Sequence, residues 1–240
     1  MCEVPRAKEA KLDPPSRPFE RRALRIPLRS SVTLEADLSL PAVSRGIVLF
    51  AHGSGSSRFS PRNRQVAESL NEAKLATLLV DLLTSEEEAI DERTRELRFD
   101  IDMLADRLVG LTDWLCDYEA AAGLRIGYFG ASTGAGAALV AAAQRPDAVH
   151  AVVSRGGRPD LAGQALERVR APTLLIVGGN DGPVIDMNWQ ALAALRGEKR
   201  LSLVPGATHL FEEPEALGAV SKLARDWFRD HLDPSRSTKK

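Results

Sequence analysis

Two rhythms of hydrophobic positions alternate along most of the chain. The first consists of short apolar runs bounded by turn residues: Gly46-Ile47-Val48-Leu49-Phe50-Ala51, Leu75 to Val80, Arg125 to Phe129, Val149 to Val153 and Pro172-Thr173-Leu174-Leu175-Ile176-Val177. Runs without polar alternation are what strands buried on both faces require. The second rhythm is helical. Val66, Ala67 and Leu70 fit a helix over Pro61 to Lys74; Ile101, Leu104, Leu108, Leu111 and Leu115 fit a longer one over Phe99 to Tyr118; Leu217, Val220, Leu223, Ala224 and Trp227 fit a closing one over Pro214 to Phe228. Shorter helical segments are expected at Pro159 to Val169 and Val184 to Leu195, with a last strand at Arg200 to Val204. Strand, helix, strand is the pattern of a parallel crossover, and its repetition predicts a doubly wound α/β sheet with helices on both faces. Ahead of it, Arg25 to Leu28 and Val32 to Leu40 alternate weakly around Arg29-Ser30-Ser31, which points to an antiparallel pair at one edge.

Three stretches lack either rhythm. Residues 1–19 carry Pro5, Pro14, Pro15 and Pro18 among charges, and 233–240 are polar, so both are expected as flexible tails around one domain spanning 20–232. Residues 84–98 are mostly charged, including Glu86-Glu87-Glu88, and are expected as a solvated helix or loop that leaves a strand end and can overhang a site.

Composition narrows the function classes. The chain has 240 residues, 44% of them hydrophobic, enough for a sizeable single core. Its 32 basic residues against 33 acidic ones give a net charge of -1, so bulk charge offers no argument for nucleic acid or an anionic membrane. Cys2 and Cys116 form no disulfide framework, and no metal-ligand spacing occurs, so neither a metal nor a cofactor is expected. No apolar h-region opens the chain and no run approaches a membrane span, so the expectation is a cytoplasmic protein, monomeric or homodimeric, acting on a small molecule.

Candidate chemistry lies where strands end. In Gly130-Ala131-Ser132-Thr133-Gly134 a strand turns at a serine into a helix of small residues, the Gly-x-Ser-x-Gly context that exposes a nucleophile on a strained turn. A serine nucleophile needs a base and an acid to orient it. The strand through Val177 ends in Gly178-Gly179-Asn180-Asp181, and the strand through Val204 ends in Pro205-Gly206-Ala207-Thr208-His209. Ser132, Asp181 and His209 therefore stand in the order nucleophile, acid, base, with Asp186 as the rival acid on the following helix. Two donors are needed for an oxyanion: the Thr133 N–H, and one from His52-Gly53-Ser54-Gly55, placed at Ser54 with Gly55 as fallback. His52 precedes this turn and is assigned to holding it. Arg58 and Arg62 beyond the loop, and Arg155 and Arg158 around Gly156-Gly157, are read first as ion-pairing residues; Gly55, Arg58 and Arg155 are the candidate substrate contacts. Gly53-x-Gly55 and Gly134-x-Gly136 lack the third glycine of a dinucleotide loop, and no Gly-Lys-Ser/Thr occurs.

On Ala51-His52-Gly53-Ser54-Gly55-Ser56-Ser57-Arg58, Pro61-Arg62-Asn63, Gly130-Ala131-Ser132-Thr133-Gly134, Gly179-Asn180-Asp181 and Pro205-Gly206-Ala207-Thr208-His209-Leu210-Phe211, the chain from about Arg25 to Leu232 resembles the dienelactone hydrolase family of the α/β-hydrolase fold. Those stretches are especially similar to hydrolase-like domains that occur alone or fused to phosphoribosyltransferase domains. The resemblance implies Ser132 as nucleophile, Asp181 as acid and His209 as base. True dienelactone hydrolases carry cysteine at the nucleophile, so serine here favours ordinary carboxylic esters over lactones. The short interval from Ser154 to Pro172 leaves no room for the large cap domains of many α/β-hydrolases, which implies an open site for small or short-acyl esters. The alternatives are a thioesterase or acyltransferase with the same triad, and a non-catalytic binding module on the same fold.

Overall fold

One sheet organises the computed structural model, which describes residues 8–11, 19–29 and 31–235. Its strands are β1 (Lys8–Lys11), β2 (Phe19–Pro27), β3 (Thr33–Pro41), β4 (Ile47–Ala51), β5 (Ala76–Val80), β6 (Ile126–Ala131), β7 (Val149–Arg155), β8 (Thr173–Gly178) and β9 (Lys199–Val204). Among the described residues they lie in the order β1-β2-β3-β5-β4-β6-β7-β8-β9. From β1 to β5 the pairings are antiparallel; from β5 through β4 to β9 they are parallel. The helices are α1 (Pro61–Glu72), α2 (Ser85–Thr94), α3 (Ile101–Asp117), α4 (Thr133–Gln144), α5 (Gly182–Ala194) and α6 (Ala216–Leu232).

The apolar runs behave as their lack of alternation requires. In β4, Ile47, Leu49 and Ala51 face one core with α3, α4 and α5, while Val48 and Phe50 face another with α1 and α6. α6 reaches the sheet because Gly46 and Gly127 present no side chain: a Cβ on Gly46 would stand 2.6 Å from Leu232 Cβ, and one on Gly127 would stand 2.8 Å from the Phe228 ring. Helix α1 leaves β4 on one face and α4 leaves β6 on the other, although β4 and β6 are neighbours. That reversal opens a crevice at the carboxyl ends of these two strands, where open α/β sheets bind ligands.

Several elements differ from the sequence expectation. β2 begins at Phe19 rather than Arg25, because its register against β3 extends to Phe19 opposite Pro41. β1 falls within 1–19; it pairs with Arg22 to Arg25 along the outer edge of β2, and such backbone pairing needs no side-chain period. The remainder of that tail, and 236–240, lie outside the described residues. Asp233, placed at the start of the C-terminal tail, is instead buried and bonded to Arg45 at 2.5 Å. Pro159–Arg168 forms 3-10 turns broken at Gly163 (φ 49°) rather than a helix, and this is all that stands where a cap domain would insert.

Candidate active site

Ser132 sits at a tight turn between β6 and α4. Its φ of 50° and ψ of -121° are a strained conformation for a residue with a side chain, held between the end of β6 and the start of α4. The turn closes because its flanks are glycine. A Cβ on Gly130 would lie 2.5 Å from the Ala135 backbone, and one on Gly134 would collide with the carbonyl oxygens of Ala51 and His52. The Ser132 N–H donates to Arg155 O (3.3 Å) and its carbonyl accepts from Arg158 N–H (3.0 Å), so the segment after β7 grips the elbow from outside.

His209 and Asp181 meet at 2.7 Å through Nδ1 and Oδ2. Two β-ends deliver them: Gly179 N–H bonds Val204 O and Asn180 N–H bonds Ala207 O, locking the turn after β8 to the loop after β9. The Asn180 side chain adds a bond to Gly206 O, and Glu213 accepts from Thr208 N–H; neither residue carries a signal in the sequence that marks it as a brace. Asp181 occupies the N-cap position of α5 yet makes no cap bond with its side chain; the carboxylate is turned to the histidine instead. Asp186 lies exposed on α5. With Nδ1 engaged, Nε2 is the free ring nitrogen. The ring lies against the segment that grips Ser132: a Cβ on Gly156, whose φ is 51°, would stand 3.6 Å from His209 Cε1.

His52 is inward and neutral. Leu82 N–H donates to its Nε2 (3.1 Å), so the proton resides on Nδ1, which donates to Gly53 O (3.0 Å). Burial pushes its pKa down, with the Gly53 bond opposing. This ring ties the loop after β4 to the end of β5. Gly53 then passes Ser132 closely enough that its Cβ would be 3.0 Å from Ser132 Cβ. At Ser54, expected as an oxyanion donor, the N–H donates to the Thr133 hydroxyl at 2.9 Å. Beside these residues is a cavity of about 260 Å³, walled on one side by Ser54, Gly55 and Thr133 and on the other by Leu83, Glu88 and Arg98. Within residues 84–98, Ser85–Thr94 form the solvated helix α2, whose inner edge borders the cavity. Its Asp91 is buried against Arg98 (2.5 Å) and its Glu87 is bonded to the buried Arg107.

The arginines divide. Arg58, expected among the substrate contacts, is bonded to Asp81 and to Glu35 (2.7 Å), so its charge is already matched and it braces the loop. Arg62 pairs with Glu212 at 3.0 Å and Arg158 with Asp160 at 2.8 Å. Arg155 differs. It is 7% exposed, its Nε has no partner, and the one acceptor it meets among the described residues is the neutral Asn63 Oδ1 at 3.2 Å. Burial, and then the nearby Arg62, lower its pKa to about 10. The described residues include no group of three or more His, Cys, Asp or Glu that would hold a metal ion, and no helix long and apolar enough to cross a membrane.

With this geometry in hand, comparison with known proteins places the chain. Two curated proteins of Mycobacterium tuberculosis, from strains CDC 1551 and H37Rv, are 57% identical over 226 residues; both bear a phosphoribosyl transferase name. The match covers 94% of this chain and 49% of each, so the chain spans about half the length of the curated relatives it matches. A solved dienelactone hydrolase from Anabaena variabilis is 62% identical, with a TM-score of 0.88, covering 90% of this chain and 100% of that one. Est1E from Butyrivibrio proteoclasticus, at 16% identity and a TM-score of 0.72 over 87% of this chain and 98% of its own, shares the fold. The model of the dienelactone hydrolase family matches residues 38–233, from β3 through Asp233 and so across Ser132, Asp181 and His209; this chain belongs to that family.

Proposed function

We propose that this protein hydrolyses small or short-acyl carboxylic esters through an acyl-enzyme formed on Ser132. Membership of the dienelactone hydrolase family, and a 62% identical relative bearing that name, support a hydrolase of ester-type substrates. The observation that carries the finer reading is the 2.7 Å pairing of His209 Nδ1 with Asp181, together with a serine held at φ 50°. In this reading His209 Nε2 takes the Ser132 hydroxyl proton as Oγ attacks the ester carbonyl, and Asp181 stabilises the imidazolium. Collapse of the tetrahedral adduct breaks the bond to the alcohol, which leaves with the proton from His209. Water, deprotonated by the same nitrogen, then releases the acid and restores the serine. The short 3-10 segment after β7 leaves the site without a large cap, which favours small substrates. A negative substituent on the substrate, where present, is assigned to Arg155. The transferase name belongs to proteins about twice as long, and the shared segment includes the part that the dienelactone hydrolase model matches, so phosphoribosyl transfer is not carried over to this chain.

The test is labelling by a fluorophosphonate probe together with turnover of short p-nitrophenyl esters. Wild type labels and turns over. Ser132→Ala loses both, Asp181→Asn loses about 10⁴ in kcat, and Asp186→Asn behaves as wild type. Turnover that persists in Ser132→Ala, or an unlabelled wild type, refutes the mechanism.

A further inference from the structure

We infer that the Thr133 hydroxyl is itself an oxyanion donor, with the Ser54 N–H acting through it. The inference rests on Ser132 being the nucleophile and names a catalytic group beyond the triad and the backbone N–H groups.

Thr133 is 4% exposed, and it borders the cavity next to Ser54 and Gly55. Its Oγ1 accepts the Ser54 N–H at 2.9 Å. A hydroxyl that accepts in this way keeps its own proton to donate, and the proton has no acceptor among the described residues. Threonine in a helix often bonds the carbonyl four residues back. Here that residue is Phe129 in β6, a strand paired on both sides, by β4 and by β7, and no such bond forms. Thr133 is also the first residue of α4, so its backbone N–H lies in the helix turn that has no intrahelical partner. The residue that follows Ser132 in the chain therefore offers two donors: N–H from the helix start and O–H from the side chain. The Ser54 N–H polarises the hydroxyl from behind, which strengthens its donation to a negatively charged oxygen. Ser54 is in this account a positioning residue, and the Thr133 hydroxyl touches the reacting atom.

The rival account has the hydroxyl merely occupying the Ser54 N–H until substrate displaces it. The two accounts predict opposite signs for Thr133→Val, which keeps the shape and deletes the hydroxyl. As a donor, its loss lowers kcat by about 100-fold with KM within about threefold, because the contact forms with the developing oxyanion. Affinity for a trifluoromethyl ketone or boronic acid analogue of the tetrahedral adduct falls by a similar factor. Thr133→Ser restores both. Should valine fail to fold, Thr133→Ala, checked by thermal melting, must reproduce the loss. A kcat in Thr133→Val that is kept or raised overturns the inference, as does failure of serine to rescue, which would assign the effect to the methyl group. Wild-type labelling by the fluorophosphonate separates the failures: a labelled, Ser132-dependent enzyme indifferent to Thr133 sinks this inference alone, whereas an unlabelled enzyme sinks the serine mechanism and this inference with it.

Discussion

A cation at Arg155 lies one strand away from Ser132 with no carboxylate to match it among the described residues. Its guanidinium packs over Phe211, with 5.9 Å between Cζ and the ring centroid, and its neighbour Arg62 carries the same charge. Burying an unpaired charge is expensive, and replacing it with an apolar side chain of similar volume is often neutral or stabilising. Arg155→Met is therefore expected to melt no lower than wild type. The charge persists at neutral pH, because burial and Arg62 bring the pKa only to about 10. If it meets a substrate anion, Arg155→Met lowers the ratio of kcat/KM for a carboxylate-bearing ester over its neutral counterpart by at least about tenfold, the value of a charged hydrogen bond. Steady-state kinetics on such an ester pair decides it, and an unchanged ratio leaves Arg155 as a brace for Asn63. Arg58, paired with Glu35, Asp37 and Asp81, has no comparable freedom.

Among the elements, α2 is mostly exposed and is tied at both ends by polar contacts. A capping box joins Thr84 and Glu87 at its start, Glu87 also holds Arg107, and Asp91 at its end holds Arg98 through backbone and side chain. These contacts anchor the helix at both ends beside the cavity. Burial works against the Asp91 carboxylate, but the Arg98 N–H and guanidinium outweigh it and keep its pKa below the usual range. A depressed carboxyl stabilises the fold above its unfolded pKa of about 3.9 and loses that contribution as pH falls towards the folded value. Asp91→Asn breaks a buried pair, at a cost of about 3 kcal/mol. The expected outcome at neutral pH is faster amide exchange across 85–94 and a raised KM, with the stability gap to wild type narrowing below about pH 4. Exchange unchanged in α2 would show that the ion pair does not hold it.

Over the whole molecule the sheet and its closing helix are fastened by Arg45 and Asp233, which join the turn before β4 to the end of α6. Burial would raise the Asp233 pKa, yet the Arg45 guanidinium and the Ser235 hydroxyl and N–H bring it down to about 2. The unfolded carboxyl titrates near 3.9, so this group contributes about 2 kcal/mol above roughly pH 5, and the contribution fades as pH drops towards 2. Asp233→Asn should lower Tm by about 4–8 °C at pH 7 and by little near pH 2. Thermal melts at the two pH values check this; an equal drop at both would mean that the carboxylate charge is not the cause.

The central parallel strands were legible because a strand buried on both faces must be almost wholly apolar, as β4, β5 and β8 are apart from the buried Thr77 and Thr173. The turn at Ser132 was legible because a backbone at positive φ with two close approaches tolerates little but glycine on either side. The order of Ser132, Asp181 and His209 follows from each standing just past a strand. These are local consequences of backbone geometry, and sequence alone carries them. Pairings are not local. That Asp181 turns to His209 rather than capping α5, that the Ser54 N–H faces the Thr133 hydroxyl, that Arg58 finds Asp81 and Glu35 while Arg155 finds no acid, and that β1 adds to the edge of β2 all depend on which strands become neighbours. The hydrogen-bonding capacity of a side chain is written in its residue type; which of its bonds are already made is decided only when residues tens of positions apart share one crevice.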